Sequence, residues 1–181
     1  MGAVLRTLSW LRLSWPVAGA ILLVGLLGGC VSDRPRPKSR PPAAVKGPIA
    51  QIHLLTGPTA LDFDQLPGPD GFAVRLYATS PKTPNTVVIA RGRVEVLMYD
   101  GLQQPQQTNA VTVQPRQVWT FSAEELKHFE VRSPIGVAYD LTLLWGQARP
   151  TQAWVTLVAR YVPVQGLPLY SGASAVSVAV K

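Results

Sequence analysis

The spacing of proline constrains this chain more than any other feature. Eleven of its 17 prolines lie between positions 49 and 181, at 58, 67, 69, 81, 84, 105, 115, 134, 150, 163 and 168. Each falls between apolar or alternating runs and never inside one. Proline has no amide to give a strand ladder and disrupts a helix interior. That punctuation excludes long helices and leaves short strands joined by turns. The runs are residues 49–56, 72–79, 86–91, 93–99, 117–121, 137–145, 153–162 and 175–180.

Several runs alternate with period two. Phe72, Val74 and Leu76 share one face against Ala73, Arg75 and Tyr77, and Val94, Val96 and Met98 oppose Arg93, Glu95, Leu97 and Tyr99. Tyr139, Leu141, Leu143 and Trp145 share a face, as do Val155, Leu157, Ala159 and Tyr161. Such alternation marks strands with one buried side. Gly92, between two β-like runs, reads as a bulge or a break. Residues 49–181 are enough for one core. The expected fold is all-β: a single β-sandwich of seven to eight strands. One short helix interrupts the pattern, predicted over residues 123–129. Ser122 and Glu125 are spaced as a capping box, with Phe121 and Leu126 placed as a hydrophobic staple.

The front of the chain has a different character. Formal charge is +2 over residues 1–29, +4 over 30–48 and only +1 over 49–181, out of +7 in total. The basicity therefore belongs to the leader and not to the domain, and a nucleic-acid partner is not expected. Residues 1–29 have the layout of an export signal: Arg6 and Arg12, then an apolar core from Val17 to Gly29 that is too short for a spanning helix. Residues 31–48 hold five prolines and five basic side chains with almost nothing to bury. They read as a disordered, extended tether with a reach of roughly 50 Å at most.

Leu27, Gly28, Gly29 and the single cysteine, Cys30, stand in the order of a bacterial lipobox, and the front end resembles that of a lipoprotein. The resemblance implies cleavage before Cys30, lipidation of its thiol, and a mature chain anchored in the cell envelope. Val31 and Ser32 follow the cysteine in place of an aspartate, which by the same resemblance implies sorting to an outer membrane. The body resembles an uncharacterised group of bacterial lipoproteins with a C2-like or immunoglobulin-like sandwich. Residues 66–71, 96–101, 119–126 and 139–145 carry that likeness. It implies a fold and no activity.

Chemistry-bearing residues are few. Asp62, Asp64 and Asp70 share one loop. They either hold a hard cation such as Ca²⁺, which takes six to eight oxygens, or accept loop amides as Asx-turns. Asp100 before Gly101 reads as a turn residue. His53 and His128 lie 75 positions apart with no spacing that proposes a triad, and no G-x-S-x-G occurs. Trp119, Trp145 and Trp154 are either core residues or, if exposed, a sugar-binding platform. The expectation is a non-enzymatic, lipid-anchored module that binds or scaffolds an envelope protein or glycan, with a calcium- or carbohydrate-binding module as the alternative.

Overall fold

The computed structural model describes residues 43–64, 66–103 and 114–178. Leu27, Gly28, Gly29 and Cys30, and with them the signal and lipobox readings, lie outside the described residues. Nine strands follow in order: β1 Gln51–Thr56, β2 Gly71–Thr79, β3 Arg93–Asp100, β4 Gln117–Ser122, β5 Glu130–Ser133, β6 Gly136–Leu144, β7 Trp154–Val162, β8 Leu169–Tyr170 and β9 Ser174–Ser177. A short helix α1, Ala123–Leu126, continues into a 3₁₀ turn, Lys127–Phe129, between β4 and β5.

Two antiparallel sheets face each other. One has the order β1-β2-β6-β5; the other runs β4-β3-β7, with β8 and β9 sharing the far edge of β7. The all-β sandwich expected from the alternation is thus the fold. Its inner faces are the predicted ones: Phe72, Val74 and Leu76 from β2, Val94, Val96 and Met98 from β3, Tyr139, Leu141 and Leu143 from β6, and Val155, Leu157 and Ala159 from β7 are all buried in one cluster. Phe72 sits edge-on to Trp145 at 5.1 Å and to Trp119 at 6.4 Å between ring centroids. These offset aromatic contacts add to the burial that holds the layers together.

The open edges of the sheets are closed at both sides. On one side Ser177 donates its amide to the Pro58 carbonyl and accepts from Ala60, which ties β9 to the segment after β1. On the other side α1 crosses between the sheets and buries Leu126 completely. The capping box is present as predicted. The Ser122 hydroxyl accepts from the Glu125 amide at 3.2 Å, and the Glu125 carboxylate accepts from the Ser122 amide at 2.7 Å. The Ser122 amide, together with the Ser122 hydroxyl donating to the same carboxylate at 2.8 Å, holds the Glu125 carboxyl below its ordinary range.

Among the described residues the strands number nine, against the seven to eight expected, for reasons of pairing. The run 86–91 is not a strand, although it is apolar and rich in β-branched residues. It carries the chain from one sheet to the other, and its polar groups are met from outside any ladder. Thr86 donates its hydroxyl to Val137 O at 2.6 Å, and Val87 donates to Ala78 O at 2.9 Å. Ile89 donates to the Tyr139 hydroxyl at 2.8 Å. With Val87 and Ile89 buried, the segment is a plug between the layers. Conversely β5 and β8, of four and two residues, have no alternation to reveal them and exist because β6 and β7 offer an edge. Val45, inside the stretch read as tether, bridges to Val87 and packs against the core.

Candidate functional site

The outward face of the β1-β2-β6-β5 sheet carries a concavity. Alternation turns Ala73, Arg75 and Tyr77 of β2 away from the core. The register then places Leu55 of β1 on one side of Arg75 and Asp140 of β6 on the other, with Thr142 beside Ala73. The resulting hollow has a volume of about 470 Å³ and is lined by Leu55, Thr56, Arg75, Tyr77, Asp140 and Thr142, among others.

Arg75 and Asp140 form a two-pronged pair at its centre. Nε donates to Oδ1 at 2.5 Å and Nη2 to Oδ2 at 2.6 Å. The pair holds the Asp140 carboxyl below its usual range, and with a further hydrogen bond to Tyr77 it keeps the guanidinium charged. Both side chains are nearly half exposed. A pair so solvated adds little stability. Its effect is to fix two planar polar groups in one orientation beside an exposed Leu55. With cation and carboxylate satisfied by each other, neither is poised as an acid or a base.

The aspartate loop is organised by its own backbone. Phe63 donates its amide to Asp70 Oδ1 at 2.9 Å, Asp64 to Asp62 Oδ1 at 3.2 Å, and Leu66 to Asp64 Oδ1 at 2.9 Å. This is the Asx-turn arrangement. Among the described residues, no three His, Cys, Asp or Glu side chains converge as a metal-binding group. Asp100 does more than turn the chain. It accepts from the Thr151 amide at 3.1 Å and hydroxyl at 2.9 Å, and pairs with Arg116 at 3.2 Å, so it fastens two neighbouring loops.

The histidines stand on separate elements. His53 Nε2 lies 3.3 Å from the Thr79 hydroxyl, and His128 Nδ1 lies 3.3 Å from Glu125 O. The tryptophans do not form a platform. Trp119 and Trp145 pack on Phe72, Trp119 donating Nε1–H to Leu144 O at 2.8 Å, while Trp154 is exposed.

A second polar group escaped the sequence reading. Glu95 lies on the outward face of β3 but is 5% exposed, beside the buried Leu97, Tyr99 and Val158. Burial pushes its carboxyl up, yet Arg93 Nε at 2.8 Å and Arg160 Nε at 2.5 Å hold it below its ordinary value. Arg75–Asp140 and Glu95–Arg160 are each 65 positions apart. The alternation put each partner on an outward face, and only the strand pairing brings the partners together. No protein-family model matches the chain, and comparison with curated proteins and with solved structures finds no match either.

Proposed function

We propose that this protein is a lipid-anchored component of a bacterial cell envelope whose β-sandwich is a non-catalytic binding or scaffolding module. The anchor reading rests on Leu27, Gly28, Gly29 and Cys30, which resemble a lipobox behind an export signal. By the same resemblance, Val31 and Ser32 favour the outer membrane.

The binding reading rests on one observation: the concave outward face around Arg75 and Asp140. Its charged groups neutralise each other, and an apolar Leu55 stands beside the hydroxyls of Thr56, Tyr77 and Thr142. A surface of oriented polar groups around an apolar contact fits a protein or glycan partner. It supplies no nucleophile with an adjacent base, which is what hydrolysis would ask for.

Two measurements test the two halves. Mass spectrometry of the mature N-terminal peptide should find Cys30 carrying a diacylglyceryl group; an unmodified cysteine, or a different first residue, sinks the anchor. A photo-cross-linking residue at Leu55 should capture one dominant envelope component, and a second at Thr120, outward on the other sheet, should not. Equal capture from both positions would remove the case for this face.

A further inference from the structure

The two ends of the sandwich differ in a way the binding face does not explain. At one end lie the start of β1, the β2–β3 connection and the β7–β8 loop, residues 163–168. The residues before β1, from Val45 to Ile49, pack onto the domain here. The β7–β8 loop is bracketed by Pro163 and Pro168 and turned by Gly166 at φ +104°. Proline at both feet and the glycine turn limit its conformations. At its tip, Val164 is 73% exposed and Leu167 is 85% exposed, more than any other large apolar side chain among the described residues. Placing two such groups on a stiffened loop costs solubility unless something covers them.

The same end is basic. Lys46 and Arg91 line a cavity of about 320 Å³ beside Tyr161, and neither has an acidic partner among the described residues. Pro163 lies against Gly92, next to Arg91 in the chain, so the apolar loop and the basic cavity adjoin. The sequence contains no acid from 43 to 61, from 71 to 94 or from 141 to 181. The acidic residues of this end already have partners. Glu95 is buried between Arg93 and Arg160. Glu124 and Glu125 stand on α1, which follows Ser122, the register partner of Arg93, and so share this end; Glu124 is tied to Lys127, the Glu125 carboxylate accepts from the Ser122 amide, and Glu130 of β5 pairs with Arg132.

We propose that this end of the sandwich docks on an anionic lipid surface. Val164 and Leu167 enter the boundary between headgroups and acyl chains, and Lys46 and Arg91 pair with headgroup phosphates in the cavity below. Apolar side chains flanked by cations are the chemistry of interfacial membrane contact. The occupant is specified by charge and hydrophobicity together: two cations without acidic partners among the described residues, beside two exposed apolar side chains, match a surface that offers phosphates above acyl chains. The inference rests on the anchor reading to the extent that a lipid on Cys30 is what brings the domain to a bilayer. Docking would hold the concave face at a set height and angle.

The test uses the full chain reconstituted in vesicles, with an environment-sensitive fluorophore on Leu167→Cys and, separately, on Leu66→Cys at the opposite end. The wild-type chain, treated with the same dye, reports any contribution from Cys30. The Leu167 label should shift to the blue in vesicles containing anionic phosphatidylglycerol, and the Leu66 label should not. Replacing Lys46 and Arg91 by glutamine should weaken the docking equilibrium roughly 30-fold, as expected for two surface charges. Inorganic phosphate at millimolar concentration should compete only weakly; full reversal by phosphate would mean the cavity takes the free anion and would overturn lipid docking. No blue shift at Leu167, an equal shift at both positions, or a shift that follows protein concentration and not lipid would also overturn it. If Cys30 proves unmodified, the label still reports docking at the higher lipid concentration an unanchored chain requires, so the two readings fail separately.

Discussion

Tyr139→Phe isolates the contact that keeps the 86–91 plug between the sheets. The Tyr139 side chain is fully buried, and its hydroxyl accepts the Ile89 amide at 2.8 Å. Phenylalanine fills the same volume without the acceptor, so the change leaves no cavity of side-chain size and orphans one buried donor. Such an orphan costs about 1–3 kcal/mol. For a domain of this size that lowers the melting temperature by on the order of 5–10 °C. Urea unfolding followed by circular dichroism should show a lower midpoint at unchanged slope, because the area exposed on unfolding is the same. The pH dependence supplies a second check. Burial pushes the Tyr139 phenol up to about 12 from an ordinary 10. An acid whose folded pKa is raised stabilises the fold below its unfolded pKa, and the contribution disappears as pH climbs from about 10 toward about 12. For two pH units that amounts to on the order of 2–3 kcal/mol. Tyr99 and Tyr161 are pushed the same way by burial, so the informative quantity is the difference between wild type and variant. Wild type should lose more stability than Tyr139→Phe across that window. A variant as stable as wild type at pH 7, with the same alkaline decline, would refute the hydrogen bond to Ile89 as the plug's fastening.

Other substitutions test separate parts of the structure. Ser122→Ala removes the side-chain half of the capping box, leaves the Ser122 amide to the Glu125 carboxylate, and should cost about 1 kcal/mol by chemical denaturation. Phe72→Ala empties the space between Trp119 and Trp145, and should cost about 3–5 kcal/mol with loss of near-ultraviolet circular dichroism. Glu95→Gln should flatten the acid limb of stability. A carboxyl held below its ordinary pKa stabilises above the unfolded value near 4.5 and loses that contribution as pH falls through the folded one, so wild type should weaken more than the variant on going from pH 5 to pH 3, the variant keeping only the share due to Asp140 and Glu125. Gly136→Ala should destabilise, since the glycine sits at φ +120° and a Cβ would meet the Thr86 hydroxyl at 2.5 Å; wild-type stability in that variant would contradict the geometry.

Much of the fold can be read without coordinates, because its cues are local. Prolines at the ends of runs mark where ladders stop. Period-two alternation assigns the inward residues of β2, β3, β6 and β7, and the Ser122/Glu125 spacing encodes the helix cap in four consecutive positions. What only tertiary structure decided is what depends on partners far away in sequence. The 86–91 run has a strand's composition but reaches Tyr139 and Val137 instead of a ladder, and two-residue β8 is a strand only because the edge of β7 is beside it. Glu95, Leu97 and Tyr99 lie on a face that alternation assigns to solvent, and they are nonetheless buried. The Arg75–Asp140 pair follows from the β2–β6 register, since sequence sets which face a side chain takes but not which strand lies opposite. A backbone's own periodicity is a short-range property of a few covalently linked residues. Pairing, register and burial are settled by the whole chain competing for one interior, and there the surface around Arg75 takes its form.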